Sequence, residues 1–322
     1  MALPFALGFR HARPAALLVA AAAAPGAIHV ARLAAPVPAD IWTSWTFDPV
    51  ALLLLLLAAA LYARGAMRLA RARRRYGLGP GVTASQVTAF GAGLLVLAVV
   101  LLSPLDRLSA ALLSAHMVQY LALTEVIPLL LLLGHPAAPL GWALPAGWTR
   151  GARRRCARAR EGRAVRQILG QPLLVGALDV AVLLGWHLPG VYQATVTNGA
   201  LHLLQQLTFL AAALLFWWAV RYPGARREHG HGRALLCLVV TSVLSSAFGL
   251  VLYGSPGLWY AIYQGRTAAW GLSALEDQQI AGLILGVAPE AFDVVVAIMV
   301  LAGWLRAEER RMDERQGNMA QP

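Results

Sequence analysis

Lysine is absent from this 322-residue chain, cysteine occurs only at Cys156 and Cys237, and charged residues make up 13% of the sequence. Each scarcity excludes something. Two distant cysteines without a C-x-x-C spacing support neither a disulfide framework nor a thiolate metal site. So few charges beside 59% hydrophobic residues cannot clothe a soluble globule of this size, which makes the chain an integral membrane protein. Walker, G-x-S-x-G, H-E-x-x-H and Rossmann glycine patterns are missing as well. Soluble-enzyme chemistry has no foothold, and the expectation is a protein that is not an enzyme.

What is present is apolar runs separated by arginine. Runs long enough to cross the hydrocarbon layer as helices lie near 49–69, 84–103, 110–134, 172–189, 199–220, 234–254 and 279–305, given about 20 residues per crossing. The predicted fold is all-α: a polytopic membrane bundle of seven transmembrane helices. The 27 basic residues are all arginine. They sit in blocks between spans, in the manner of cytoplasmic loops, and not in a patch that would grip nucleic acid. Twenty-two arginines flank one side, including Arg64 to Arg75 and Arg150 to Arg166, against Arg32, Arg107 and Arg266 on the other. That bias predicts N-out, C-in.

Residues 1–28, with Arg10 and Arg13 before a short Ala/Leu run and then Pro25, resemble a signal peptide; a retained eighth helix is the rival reading. Residues 29–48 are then extracytoplasmic, 49–305 form the membrane domain, and 306–322 form a cytoplasmic tail. Trp42, Trp45, Trp186, Trp259 and Trp270 fall near the outer boundary, as interfacial aromatics do.

Ionisable groups inside the spans are the informative residues, because they are costly there and face a bundle interior or a wet cavity. His116 opens span three in "HMVQYLALTEVIPLLLLLGHP", His187 ends span four in "WHLPG", and His202 opens span five in "HLLQQL". Three helices thus bring an imidazole to one depth at the outer face. Neutral imidazole binds copper, zinc or iron, so the three are candidate ligands of a metal or haem. The alternative is that each hydrogen-bonds a neighbour. Asp277 in "SALEDQQIAG" sits at the same boundary, where a carboxylate would ligate an ion or orient a ring. The echo H-x-x-Q-x-L at 116–121 and 202–207 suggests related positions for the two segments.

Glu125, Asp179, Glu290 and Asp293 lie deeper. Glu125 is nine residues past His116, about 13 Å by helical rise. These acids are candidates for interhelical hydrogen bonding or for a proton or ion route, with Pro128 and Pro289 expected to kink their helices. Gly282 and Gly286 form a G-x-x-x-G suited to a close helix contact. His135, His229 and His231 on the inside, and His29 near the signal-like segment, carry no sharper expectation.

The set "WTFDPVALLLLLLAAALYARGAMRL", "HMVQYLALTEVIPLLLLLGHP", "WHLPGVYQATVTNGALHLLQQLTFLAAALLFWW" and "DQQIAGLILG", in that order, resembles the CtaG-type cytochrome c oxidase assembly factors over residues 42 to 305. The resemblance implies a multi-pass protein of the bacterial plasma membrane that helps mature a haem-copper oxidase by assisting copper delivery. It implies His116, His187, His202 and Asp277 as the metal residues. It also implies an oxidase subunit and membrane lipid as partners, with room for a copper-donor protein. The family's H-x-x-x-H pattern stands here as His116 with Tyr120 and His202 with Gln206, so two imidazoles are replaced by weaker ligands. Copper or proton transport and haem binding are the competing functions.

Overall fold

The computed structural model describes residues 35–77, 81–144, 147, 171–221 and 230–319. The signal-like segment 1–28, His29, His229 and the arginines from Arg150 to Arg166 lie outside the described residues. Among the described residues the chain is helical, without strands. Its helices are α1 (Pro49–Arg75), α2 (Ala84–Leu102), α3 (Pro104–Leu108), α4 (Leu113–Leu121), α5 (Ile127–Leu133), α6 (Ala137–Ala143), α7 (Pro172–Trp186), α8 (Pro189–Thr197), α9 (Gly199–Arg221), α10 (Gly230–Gly254) and α11 (Ala274–Met319).

Helix starts follow local chemistry. Asp48 accepts from the backbone N–H groups of Val50 and Ala51 at 2.8 and 2.9 Å, with Pro49 in the first turn of α1, where a missing N–H costs nothing. Thr83 and Gln86 form a reciprocal capping box on α2, which satisfies two amides that have no intrahelical partner. Arg73, Arg74 and Arg75 close α1, where positive charge complements the helix dipole.

Six helical segments are long and apolar enough to cross a membrane, counting α4 to α5 as one; α7 and α8 together make a seventh that is bent by 71°. Among the described residues, six of the seven crossings read from hydropathy thus have a single candidate helix, and the fourth is matched by the bent pair. Pro189 explains the break: it keeps Leu188 out of the helical region (φ −59°, ψ 129°) and then starts α8 as its first residue. The last crossing also differs from expectation, since α11 runs without interruption through residue 305 to Met319.

Span three holds another irregularity. Between α4 and α5, residues Ala122–Val126 form a π-helical turn. Pro128 has no N–H to offer the Thr124 carbonyl, which lies four residues earlier. The Trp217 indole N–H from α9 donates to that carbonyl instead, at 2.7 Å. The expected kink at Pro128 is thus resolved as a widened turn, a usual device for an interrupted ladder.

The α10–α11 pair packs most intimately. A methyl group on Gly282 would lie 2.5 Å from the Tyr253 amide nitrogen and 2.6 Å from the Gly249 carbonyl oxygen, and one on Gly249 would lie 2.5 Å from the Gly286 nitrogen. The G-x-x-x-G thus makes the close backbone contact its spacing suggests, with Gly249 as the third member. The connections 103–112, 187–198 and 255–273 meet at one end of the bundle, where Tyr263 and Arg266 donate to the carbonyls of Ser109 and Ala110 and Tyr260 to that of His187. The N-terminal stretch joins them there: Thr46 N–H donates to the Leu102 carbonyl at 2.9 Å, and Trp270 Nε1 to the Pro36 carbonyl at 3.1 Å.

Candidate functional site

Three of the four candidate metal residues converge at that end. His116 is the fourth residue of α4, His187 caps the C-terminus of α7, and His202 is the fourth residue of α9. All three are buried, at 2–3% exposure. The His116 ring centroid is 5.7 Å from that of His187 and 6.2 Å from that of His202. Tyr192 of α8 meets His116 edge-on at 5.0 Å and lies nearly parallel to His187 at 5.5 Å. Tyr120, one turn beyond His116, meets His187 at 6.0 Å.

The broken helix sets the His187 tautomer. The Leu183 carbonyl can only accept, so His187 Nδ1–H donates to it at 2.8 Å, and the ring's lone pair resides on Nε2. That Nε2 is buried with no hydrogen-bond partner among the described residues. A buried ring nitrogen in this state is costly unless something else uses it, and an N–H tied to a carbonyl is the usual support of a metal-binding imidazole.

Asp277 comes to the same end but serves the backbone. One oxygen accepts from Leu113 N–H at 2.6 Å, the other from Ser114 N–H at 3.2 Å and Ser114 Oγ–H at 2.5 Å. Residue 112, where α4 would carry its own cap, is leucine and provides none. Asp277 replaces it from the far end of the sequence and thereby holds the helix that carries His116.

The acid that touches an imidazole is Asp106, which the sequence reading passed over. It is 3% exposed, in the first turn of α3. A carboxylate only accepts, so His202 Nε2–H, Gln206 Nε2–H and Gln119 Nε2–H all donate to Oδ1, at 3.1, 3.1 and 3.3 Å, while Thr46 Oγ–H donates to Oδ2 at 3.4 Å. Gln206 Nε2 also lies 2.9 Å from His202 Nε2, so the imidazole, the amide and the carboxylate form one compact polar cluster. The repeated H-x-x-Q held the clue, since two span glutamines need a buried acceptor and Asp106 is the one acid of the connection between spans two and three. The echo pairs Gln119 with Gln205, whereas the structure joins Gln119 to Gln206 through Asp106.

Tyrosines roof the cluster. Tyr260 O–H donates to the His187 carbonyl at 2.8 Å, Tyr263 O–H to the Ser109 carbonyl at 2.8 Å, and Tyr192 O–H to the Tyr263 oxygen at 2.7 Å. Burial pushes the Tyr260 and Tyr263 hydroxyls up from the ordinary phenol range, so both stay protonated donors. No water-sized space remains beside His116, His202, Tyr192 and Thr195. Packing leaves the cluster no room for water.

With metal–nitrogen bonds of about 2.0 Å and a ring centre about 1.1 Å behind each nitrogen, two imidazoles on one ion have centroids at most about 6.2 Å apart. The His116–His187 separation lies inside that limit and the His116–His202 separation at it. Among the described residues no group of three or more His, Cys, Asp or Glu side chains is arranged to hold a metal ion. The arrangement is therefore one of paired imidazoles, not a finished three-ligand cage.

A family of cytochrome c oxidase caa3 assembly factors (Caa3_CtaG) matches residues 60–307. The chain belongs to that family. Relatives of this Caa3_CtaG chain include uncharacterized proteins of Mycobacterium bovis and Mycobacterium tuberculosis, each 26% identical over 291 residues, covering 88% of this chain and 43% of theirs. One from Mycobacterium leprae is 26% identical over 284 residues, covering 85% of this chain and 42% of its own. The chain thus spans less than half the length of the curated relatives it matches. No solved structure matches it.

The remaining polar candidates of the Caa3_CtaG chain divide. Glu125, Asp179 and Asp293 line one cavity. Glu290 is held aside, accepting from Ser242 Oγ–H at 3.1 Å and from Ser246 Oγ–H. His135 lies 3.5 Å from Arg221 Nη2, between α5 and α6. Of the expected boundary tryptophans, Trp42 and Trp45 are exposed, while Trp186, Trp259 and Trp270 hydrogen-bond within the protein.

Proposed function

We propose that the protein assists maturation of a haem-copper cytochrome c oxidase by holding copper briefly between His116 and its imidazole neighbours at the extracytoplasmic end of the bundle, then passing it to an oxidase subunit. The ion is cargo, and no substrate is turned over. The observation that carries this reading is the His187 ring, whose Nδ1–H is fixed by Leu183 while its buried Nε2 has no partner among the described residues, 5.7 Å from His116 by ring centroid. Family membership supplies the oxidase. The arginine bias supplies the orientation, which puts the histidine end outside.

Two imidazoles suit brief loading and release better than a closed cage does, and copper leads the divalent series in affinity for nitrogen ligands. Haem fits poorly. No water-sized space remains beside the rings, which Tyr192 packs directly, whereas pockets for ligands begin at roughly 300 Å³.

Deleting the gene and assaying oxidase activity, haem spectrum and copper content, with and without added copper, tests the reading. The expected result is an oxidase deficient in copper and activity, partly restored by supplementation. An oxidase with normal copper and activity in the deletion strain overturns it.

A further inference from the structure

Below the histidines, the structure brings Glu125 from the π turn of span three, Asp179 from α7 and Asp293 from α11 to one cavity, together with Tyr120, Thr124 and Ser242. Its water-accessible space is about 20 Å³, above the roughly 10–15 Å³ that a single water occupies. None of the described residues lining it is cationic. Three carboxylates facing one another in the interior of a membrane bundle without a countercharge are not sustainable as three anions.

Glu125 points to what occupies the cavity. Its Oε2 is buried and has no hydrogen-bond partner among the described residues, although the residue lines the cavity. Glu290 is the contrasting case, since two serine hydroxyls of α10 serve it. A buried carboxyl oxygen that faces a space of water size takes a water. The π turn is what aims it there. Ala122–Val126 is widened by the loss of the Pro128 N–H, and the turn is locked by the Trp217 bond to Thr124. Turns of this kind recur at functional sites because they re-aim a side chain within a helix.

We propose that this cavity is a proton-binding site, in which Glu125, Asp179 and Asp293 share protons through a trapped water. The acids hold fewer negative charges than carboxyl groups, and the water connects Glu125 to the other two. Metal ligation is the poorer account, because no three acids among the described residues are placed around an ion. The titratable groups around Glu125 are Asp179 on α7, Asp293 on α11 and the Tyr120 phenol one turn earlier in its own span, while Glu290 neighbours Asp293 from outside the cavity lining. The site stands apart from the proposed copper role, since it is defined by residues the histidine cluster does not use.

Infrared spectroscopy of the purified full chain at neutral pH tests it, through the carbonyl-stretch band of protonated carboxyl groups. The expected result is a band that shifts on transfer to D₂O, loses a component in Glu125→Gln, and loses a component in Asp179→Asn. The second variant keeps the test alive should the first fail to fold. Absence of the band in the wild type, or a band unchanged in both variants, overturns the proposal. So does disappearance of the band on adding sodium ions at constant pH, which would make the cavity a cation site.

Discussion

The two polar regions of the bundle lie about 13 Å apart along one helix and are built on opposite plans. Around His116, His187 and His202, aromatic rings and a tyrosine roof leave no room for water, the His187 lone pair is aimed by a backbone carbonyl, and His202 rests against a carboxylate. Around Glu125, Asp179 and Asp293, hydroxyls line a small cavity with room for a water, and one Glu125 carboxyl oxygen has no partner among the described residues. A neutral imidazole tolerates a dry, low-dielectric surround because it carries no charge until it binds something. A carboxyl group there must be paired, protonated or hydrated. The chain places each chemistry in the environment it can bear.

The largest effect expected from breaking this contrast is at the dry end. Replacing His116 and His187 together by alanine lowers oxidase activity and copper content to the level of the deletion strain, while membrane immunoblots show the protein retained. Unaltered oxidase in that strain would remove the histidines from the function. Asp106→Ala comes next. It leaves the His202, Gln206 and Gln119 donors without their shared acceptor, a loss of about 1–3 kcal/mol for each buried donor left unsatisfied, read as a lowered midpoint of thermal unfolding in detergent. Asp106→Asn loses less, since it keeps one acceptor oxygen.

Trp217→Phe probes the wet end alone. It strips the Thr124 carbonyl of its donor, costs about 1–3 kcal/mol and disturbs the π turn, so the carboxyl infrared band changes while the histidine function persists. Loss of both would show that the two regions are not separable. The smallest effect belongs to Tyr260→Phe, about 1 kcal/mol for one hydrogen bond to the His187 carbonyl. Its informative readout is faster modification of histidine by diethylpyrocarbonate, as the roof loosens.

The spans were legible because lipid imposes a long apolar run on every crossing, and the shared level of the three histidines followed from counting residues along helices of alternating direction. The family resemblance read from the motif order is matched over residues 60–307. Less legible were features that depend on contacts between distant segments. Asp106 sits in a short connection, where an acid ordinarily faces solvent, and only the tertiary fold buries it under Gln119 and Gln206. Asp277 was expected among the imidazoles, but the cap it supplies depends on α11 lying against the start of α4. Pro189 announced a boundary without its 71° bend, and Pro128 announced a kink without the tryptophan that compensates for it.

The Asp277 seat also dictates an order of assembly. The first amides of the histidine-bearing helix receive their acceptor from a residue translated more than 160 positions later. During biosynthesis the third crossing therefore gains this side-chain cap only after the start of the seventh has been made. A chain that stops before residue 277 is expected to hold the entry of its histidine-bearing helix less firmly.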